Sequence, residues 1–420
     1  FADRLYAVSR RALERFVKSY PNEVRVGEAT LLLGKSQFGL GEFQPALENF
    51  RKAQRLTPPP GRPEEARFWE AETLFRLKRY AEARVVYDAL VAANAAAPVA
   101  PDAMYGLGWT ELELKRPEGA ATAFRQLLEA WPESPLVPSA TFYLARTLVE
   151  LKKPAEAVAL LEPFRSRYPN NVLGPEAQYL LGLSRLAVGK TAEGLRDLKE
   201  FVTAHPRHEL TVAARRSITE GLLKEGQKSD LGQEYQSLIN QSPPTAEGLY
   251  DAGLIAQHLG RAKDAESAWR RVRAEFPKHA LAARASLELA QAAFKRSQFK
   301  DASALAKPAS ESEDEAVRIE ALLLMGESDL KQRRFQSALK TFQEAAAAEG
   351  ADPALRFRAL AGSGLAHEEL GQSKEAARLY AEVAADSPDA ALKKWAQERL
   401  KAVRAKAKPP AQPKAEKPKS

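Results

Sequence analysis

One pattern recurs along the chain about every 37 residues: a small residue, an alanine twelve positions later and an aromatic four positions after that. It begins at Gly34, Ala46 and Phe50, and its register recurs ten times in steps of 34 to 38 residues. The first position is Gly or Ala in nine of the ten repeats, the second is Ala in eight, and the third is aromatic in seven. A fixed period of this length indicates a stack of similar supersecondary units, none of which buries its apolar face alone. The positions that we assign to this structural skeleton are Gly34, Ala46, Phe50, Ala71, Ala83, Tyr87, Gly108, Ala120, Phe124, Gly182, Gly253, Ala265, Trp269, Gly326, Ala338, Phe342, Gly364, Ala376 and Tyr380.

Each repeat is predicted to be a pair of α-helices. Gly41, Gly189 and Gly260 fall where a first helix would end, and Pro117 and Pro154 fall where a second helix would begin. No stretch alternates apolar and polar residues with period two, so no strands are expected. Six repeats accept glycine at the first skeleton position, although glycine costs about 1 kcal/mol in a helix. We expect close contact with the alanine of the second helix to offset this cost.

This skeleton resembles the tetratricopeptide repeat, in which the small–x11–alanine–x3–aromatic pattern ends in a proline, over about residues 22–388. The resemblance implies an all-α, right-handed superhelical solenoid of about ten helix–turn–helix repeats with single flanking helices. The runs between repeats, such as Trp131-Pro132-Glu133-Ser134 and Tyr168-Pro169-Asn170-Asn171, precede starts such as "PSATFYLA" and "PEAQYLLG". That loop style is similar to envelope members of the family in Gram-negative bacteria, the outer-membrane-assembly lipoproteins and the Tol-Pal-associated coordinator.

The repeat pattern also divides the chain. The sixth repeat has Thr219 and Leu231 where small residues are expected, which predicts either a change of curvature over 217–245 or a locally degenerate repeat in a rigid stack. The predicted segments are 1–21 as an N-terminal half-repeat or capping helix, 22–243 as repeats one to six, 244–388 as repeats seven to ten, 389–406 as a C-terminal capping helix, and 407–420 as a disordered basic tail.

The net charge of +8 is concentrated at one end of the chain. Residues 401–420 hold six lysines, one arginine and one glutamate, a net charge of +6, which leaves +2 for residues 1–400. Nucleic-acid-binding domains usually carry basic residues on the folded body. Nucleic acid is therefore not the expected partner, although the tail could contact an acidic surface.

No catalytic, nucleotide, metal or cofactor site is expected. The chain has no cysteine, which excludes disulfides, thiolate metal sites and cysteine nucleophiles. Gly34-Lys35-Ser36 and Gly189-Lys190-Thr191 imitate the end of a phosphate-binding loop, but neither has the required glycine five residues upstream. His205 and His208 fall in one predicted loop without the further ligands that a zinc site needs.

A partner-binding groove is expected where the first helices line the inner surface, as the resemblance implies. Aromatic residues three positions before the small residue would form a stripe with interleaved charges, suited to an extended peptide or an amphipathic helix. The alternative is that these rings pack between neighbouring helices. The lysine/asparagine clamp of the chaperone-binding members is missing at the matching positions. The predicted groove residues are Phe68, Phe75, Tyr105, Trp109, Phe142, Arg146, Tyr179 and Tyr250.

These features predict a non-catalytic scaffold that holds protein partners. By its loop style, the resemblance places it in the periplasm or cell envelope, in an assembly, division, secretion or motility machine. Two alternatives remain open: a cytoplasmic protein scaffold, and a solenoid that binds nucleic acid or polysaccharide through the basic tail. A polyanion binder should lose affinity steeply as salt rises.

Overall fold

A computed structural model describes residues 2–57, 59, 61–348 and 352–406 of the chain. It divides into two compact bodies, an N-terminal body (Phe1–Gly221) and a C-terminal body (Leu222–Ser420). The segment bounds given above from the sequence remain predictions. The basic tail, residues 407–420, lies outside the described residues.

The N-terminal body is built of consecutive helix pairs that follow a single first helix. The first helices of neighbouring pairs contact one another, as do the two helices within each pair. Its helices are α1 (Ala2–Ser19), α2 (Val26–Gly39), α3 (Phe43–Arg55), α4 (Pro63–Arg76), α5 (Tyr80–Ala93), α6 (Ala100–Glu113), α7 (Pro117–Ala130), α8 (Val137–Glu150), α9 (Pro154–Leu161), α10 (Phe164–Arg167), α11 (Gly174–Ala187) and α12 (Thr191–Ala204), followed by α13 (Thr211–Glu225), which crosses the boundary between the bodies.

The C-terminal body repeats the same arrangement and ends in a single helix. Its helices are α14 (Lys228–Ile239), α15 (Ala246–His258), α16 (Ala262–Glu275), α17 (Ala280–Lys295), α18 (Phe299–Ala306), α19 (Glu315–Lys331), α20 (Phe335–Ala346), α21 (Pro353–Glu369), α22 (Ser373–Asp386) and α23 (Ala390–Lys406), with one 3₁₀ turn at Ala309–Glu311. Over the described ranges, five helix pairs lie within the N-terminal body and four within the C-terminal body, and there is no strand, so the all-α repeat fold is confirmed.

The turn inside each pair is set by one residue in the left-handed conformation. In nine repeats the residue seven positions after the small residue has a positive φ, at or near 60° or between 74° and 80°. Gly41, Gly189, Gly260 and Gly371 adopt it at little cost because glycine has no Cβ. The other five repeats place a side-chain-bearing residue there: Lys78, Lys115, Lys152, Ser297 and Arg333.

Several connections between repeats in the N-terminal body share a structure. In the loop after α7, the N–H of Ser134 donates to the carbonyl oxygen of Trp131 and the N–H of Val137 donates to that of Ser134, at 3.0 Å each. The same two successive turns follow Asn94, Tyr168 and His205. In these repeats, the turns accommodate the residues that extend the repeat to 37 residues.

The glycines of the skeleton make room for an aromatic ring rather than for the alanine. A Cβ placed on Gly34, Gly108, Gly253, Gly326 or Gly364 would lie 2.1 to 2.7 Å from a ring atom of the residue sixteen positions later. The expected glycine–alanine partnership is therefore wrong as the main cause. The sixth skeleton glycine, Gly182 in the fifth repeat, differs because Leu198 stands in place of the ring. There the backbone of Gly194 also lies close to Gly182.

The rings and alanines of the skeleton form the core. Phe50, Tyr87, Phe124, Trp269 and Tyr380 each have at most 1% of their surface exposed. Burying such a side chain contributes about 2–3 kcal/mol, so this repeated contact is a main source of stability. At the end of the C-terminal body, Trp395 of α23 meets the ring of Tyr380 edge-on at 5.5 Å.

None of the helices in the described residues has the length and apolar character needed to cross a membrane.

Candidate functional site

An aromatic cavity of about 520 Å³ opens in the N-terminal body between first helices α4 and α6. Phe68 and Phe75 of α4 face it from one side, and Tyr105 and Trp109 of α6 from the other. All four are half-buried, because each ring also packs against a neighbouring ring. Phe68, for example, lies 6.4 Å from Tyr87, and Tyr105 lies 5.8 Å from Phe124. The rings therefore both support the core and present surface to the cavity.

A buried tyrosine and a glutamate form the polar part of the cavity wall. The hydroxyl of Tyr87 donates a hydrogen bond to Oε1 of Glu72. Burial raises the pKa of Glu72, the Tyr87 hydrogen bond and the charge of Arg76 oppose that rise, and Asp102 adds to it. Burial, followed by the neighbouring Glu72 carboxylate, raises the pKa of Tyr87 well above its usual range. Tyr87 is thus a permanent donor, and Glu72 keeps one oxygen committed to it.

Three more charged side chains surround the mouth of the cavity. Arg76, Asp102 and Glu113 line it and are solvent-exposed. With Glu72, the lining carries three carboxylates and one guanidinium. The cavity is therefore aromatic inside and acidic at its edge.

Beyond the cavity, the aromatic row continues to α8 through a residue that sequence reasoning missed. Tyr143 lies 4.5 Å from Trp109, ring centre to ring centre. The guanidinium of Arg146 sits over both rings, 5.7 Å from Trp109 and 4.8 Å from Tyr143. On the other side, Nζ of Lys35 lies 5.4 Å from the ring centre of Trp69.

The predicted groove residues are only partly brought together. Phe142 is buried, with 7% of its surface exposed, so its expected place in an open stripe is wrong. Its ring packs against Tyr143, which takes the position beside Trp109. Tyr179 is half-buried against Phe201 on the fifth repeat, outside the cavity.

Tyr250 lies on α15 in the C-terminal body and is held by a residue of the following repeat, on α17. Its hydroxyl donates to Oε1 of Glu288 at 3.3 Å. Burial raises the pKa values of both Tyr250 and Glu288.

The C-terminal body has a comparable cavity of about 700 Å³ on its first helices α17, α19 and α21. Its apolar wall is formed by Phe294, Leu330, Phe335 and Leu365, and its charged lining residues are Glu327, Lys331, Arg333 and Glu369. Sequence reasoning missed Phe294, Leu330 and Leu365, and two of these three are leucines, which are common at core positions. The sequence feature that could have identified these three residues is their position in the repeat. Leu365 comes one position, and Phe294 and Leu330 come four positions, after the small residue of the repeat.

His205 and His208, for which the sequence predicts no zinc site, pack against neighbouring residues. The ring of His208 lies 5.3 Å from that of Phe201, and its Nδ1 accepts from the N–H of Leu210 at 3.2 Å. In the parts of the chain that the structure describes, no group of three potential metal ligands comes together.

Comparison with known proteins identifies one family. The tetratricopeptide repeat family model matches residues 1–60, 31–98, 70–135, 105–172, 250–312 and 323–391. No curated protein is significantly similar in sequence.

Two solved structures are similar at low identity. One is a tetratricopeptide repeat protein from Parabacteroides merdae, with 14% identity, a TM-score of 0.41 and coverage of 63% of this chain and 98% of its own. The other is MamA, with 15% identity, a TM-score of 0.38 and coverage of 44% of this chain and 93% of its own.

Proposed function

The chain belongs to the tetratricopeptide repeat family, and from this premise we propose that it is a non-catalytic scaffold that binds protein partners, with one recognition site at the aromatic cavity of the N-terminal body. The family match supports a protein-interaction role. The cavity between α4 and α6 supports the location of the site.

The observation that carries this proposal is the set of four accessible rings on two neighbouring first helices. Phe68, Phe75, Tyr105 and Trp109 keep part of their surface open although each contacts the core. Binding energy in protein interfaces concentrates in a few aromatic and arginine side chains that fill pockets. A cavity walled by Trp and Tyr is such a pocket, and it suits a side chain of an extended peptide or of an amphipathic helix.

The test is selection of peptide ligands on the whole chain. A phage-displayed library of short random peptides is panned on the wild-type protein, and the selected peptides are titrated against Trp109→Ala and Tyr179→Ala. Tyr179 is the matched control, since it is a half-buried first-helix aromatic that lies outside the cavity. We expect Trp109→Ala to weaken binding at least tenfold, as for an interface hot spot, and Tyr179→Ala to leave it within about twofold.

Circular dichroism of both variants monitors helix content. If Trp109→Ala loses helix, Phe75→Ala replaces it. Selected peptides that bind every variant equally would place recognition elsewhere, and a library that yields no binder would contradict the proposal.

We further propose that the protein works in the bacterial cell envelope, within an assembly, division, secretion or motility machine. The support is the loop style between repeats, exemplified by Trp131 to Ser134 and by Tyr168 to Asn171, where two successive turns recur in the same register. Fractionation of cells that express the native gene tests the compartment, and recovery in the cytoplasmic fraction would favour the cytoplasmic scaffold. Binding to DNA or heparin with a steep salt dependence would favour a polyanion binder instead.

A further inference from the structure

We propose that the aromatic cavity receives the side chain of an arginine or lysine from the partner, so that the partner segment is a cationic peptide. This inference rests on the proposed function and specifies the chemistry of its ligand.

The first argument is the combination of rings and charge. A cation is attracted to the face of Trp, Tyr or Phe within about 6 Å of the ring centre. Phe68, Phe75, Tyr105 and Trp109 wall the cavity, and three carboxylates against one guanidinium line it. An anionic or C-terminal carboxylate ligand would meet repulsion from the same carboxylates.

The second argument is that the chain already pairs its own cations with rings on both sides of this cavity. Lys35 lies over Trp69 on one side, and Arg146 lies over Trp109 on the other. Lys35 and Arg146 occupy the same repeat position, directly after the small residue. The two repeats between them place Glu72 and Trp109 at that position.

Between these two repeats, the cavity therefore offers a carboxylate and three rings over which the described part of the chain places no cation of its own. Among the described residues, no lysine or arginine lies over the ring of Phe68, Phe75 or Tyr105. Arg76 is at the mouth and exposed. A guanidinium or ammonium from a partner would complete the pattern that the neighbouring repeats complete internally.

The third argument is the state of Glu72. Its Oε1 accepts from the Tyr87 hydroxyl, which fixes the carboxylate on the cavity wall. Burial raises the pKa of this carboxyl, so its charge is incompletely compensated in the free protein. An incoming cation would offset part of that cost.

The experiment uses end-blocked peptide mixtures that share random flanking positions and differ at one central residue. The central residue is arginine, lysine, citrulline, norleucine or glutamate. Citrulline matches the shape of arginine without the charge. Binding to the full chain is measured by fluorescence anisotropy at low salt. We expect the arginine and lysine mixtures to bind about tenfold more tightly than the citrulline and norleucine mixtures.

Three exposed residues supply matched charge variants. Asp102→Asn and Glu113→Gln should weaken the arginine mixture several-fold and leave the norleucine mixture unchanged. Arg76→Gln removes the cation of the cavity itself and should strengthen the arginine mixture. Because all three side chains are exposed, the substitutions should not alter folding.

The outcomes separate this inference from the proposed function. Equal binding of the arginine and citrulline mixtures, with loss of both in Trp109→Ala, would overturn the cation preference and leave the peptide site in place. Preference for the glutamate mixture would also overturn it. Failure of every mixture to bind would remove both proposals.

Discussion

The contact between Gly253 and Trp269 provides the sharpest test of how the repeats pack. A Cβ on Gly253 would lie 2.1 Å from Nε1, 2.5 Å from Cδ1 and 2.6 Å from Cε2 of the indole. The same Nε1 donates to the carbonyl oxygen of Tyr250 at 3.3 Å. Gly253→Ala must therefore displace a ring that is 1% exposed and break its hydrogen bond.

The size of the effect follows from three opposing terms. Replacing glycine by alanine within a helix gains about 1 kcal/mol. Overpacking a filled core costs about 1–3 kcal/mol, and losing the indole hydrogen bond costs about 1 kcal/mol. Gly253→Ala should therefore lower the free energy of unfolding of the C-terminal body by about 1–3 kcal/mol.

Gly232 is the matched control in the same body. It lies inside α14, and a Cβ there would meet no atom within 4 Å. Gly232→Ala should raise the free energy of unfolding by up to about 1 kcal/mol, because only the helix term applies. Urea unfolding followed by circular dichroism measures both variants. Equal stabilisation by the two alanines would refute the view that the glycine exists to admit the ring.

Two other predictions concern stability in the N-terminal body. Lys152 has a φ of 60° at the turn position that Gly189 occupies in another repeat. Because glycine adopts a positive φ without strain, Lys152→Gly should raise the free energy of unfolding by about 0.5–1 kcal/mol, and Gly189→Ala should lower it by a similar amount. Urea unfolding measures both changes. Glu72→Gln keeps an acceptor for the Tyr87 hydroxyl and removes a carboxylate whose pKa burial raises. Because the folded protein holds this proton more tightly than the unfolded chain, Glu72→Gln should be more stable than wild type at neutral pH. That difference should shrink as pH falls through the folded pKa of Glu72 and vanish below the unfolded value, and a difference that does not vary with pH would contradict it.

Much of the repeat fold was predictable, because its signal is periodic and steric. Phe50, Phe124 and Tyr380 are buried where the skeleton places them. The identity of the glycine's neighbour was not predictable, since the alanine twelve positions on and the ring sixteen positions on both lie on the facing helix. The turn conformation at Lys152 was also hidden, because lysine carries no sequence signal for a positive φ.

The candidate site was predictable only in part, because a groove position is sensitive to helix rotation. Phe142 and Tyr143 are adjacent, yet one residue turns a helix by about 100°, which is enough to exchange a buried ring for one beside Trp109. Phe68 and Tyr105 are first-helix aromatics that line the cavity, and their role in partner binding stays a prediction. The acidic edge could not be recognised from composition, because Asp102 and Glu113 resemble any other solvated charge until the helices are placed side by side.

The rings of Tyr87 and Phe342 have a consequence for how the array can be edited. A Cβ on Gly106 would lie 2.6 Å from Tyr87, and one on Gly362 would lie 2.6 Å from Phe342, although each glycine belongs to the following repeat. Those two repeats are therefore fitted to the neighbour that precedes them and are not interchangeable modules. Deleting or reordering a single 37-residue segment would preserve the period. It would, however, separate a ring from the glycine of the next repeat that leaves space for it.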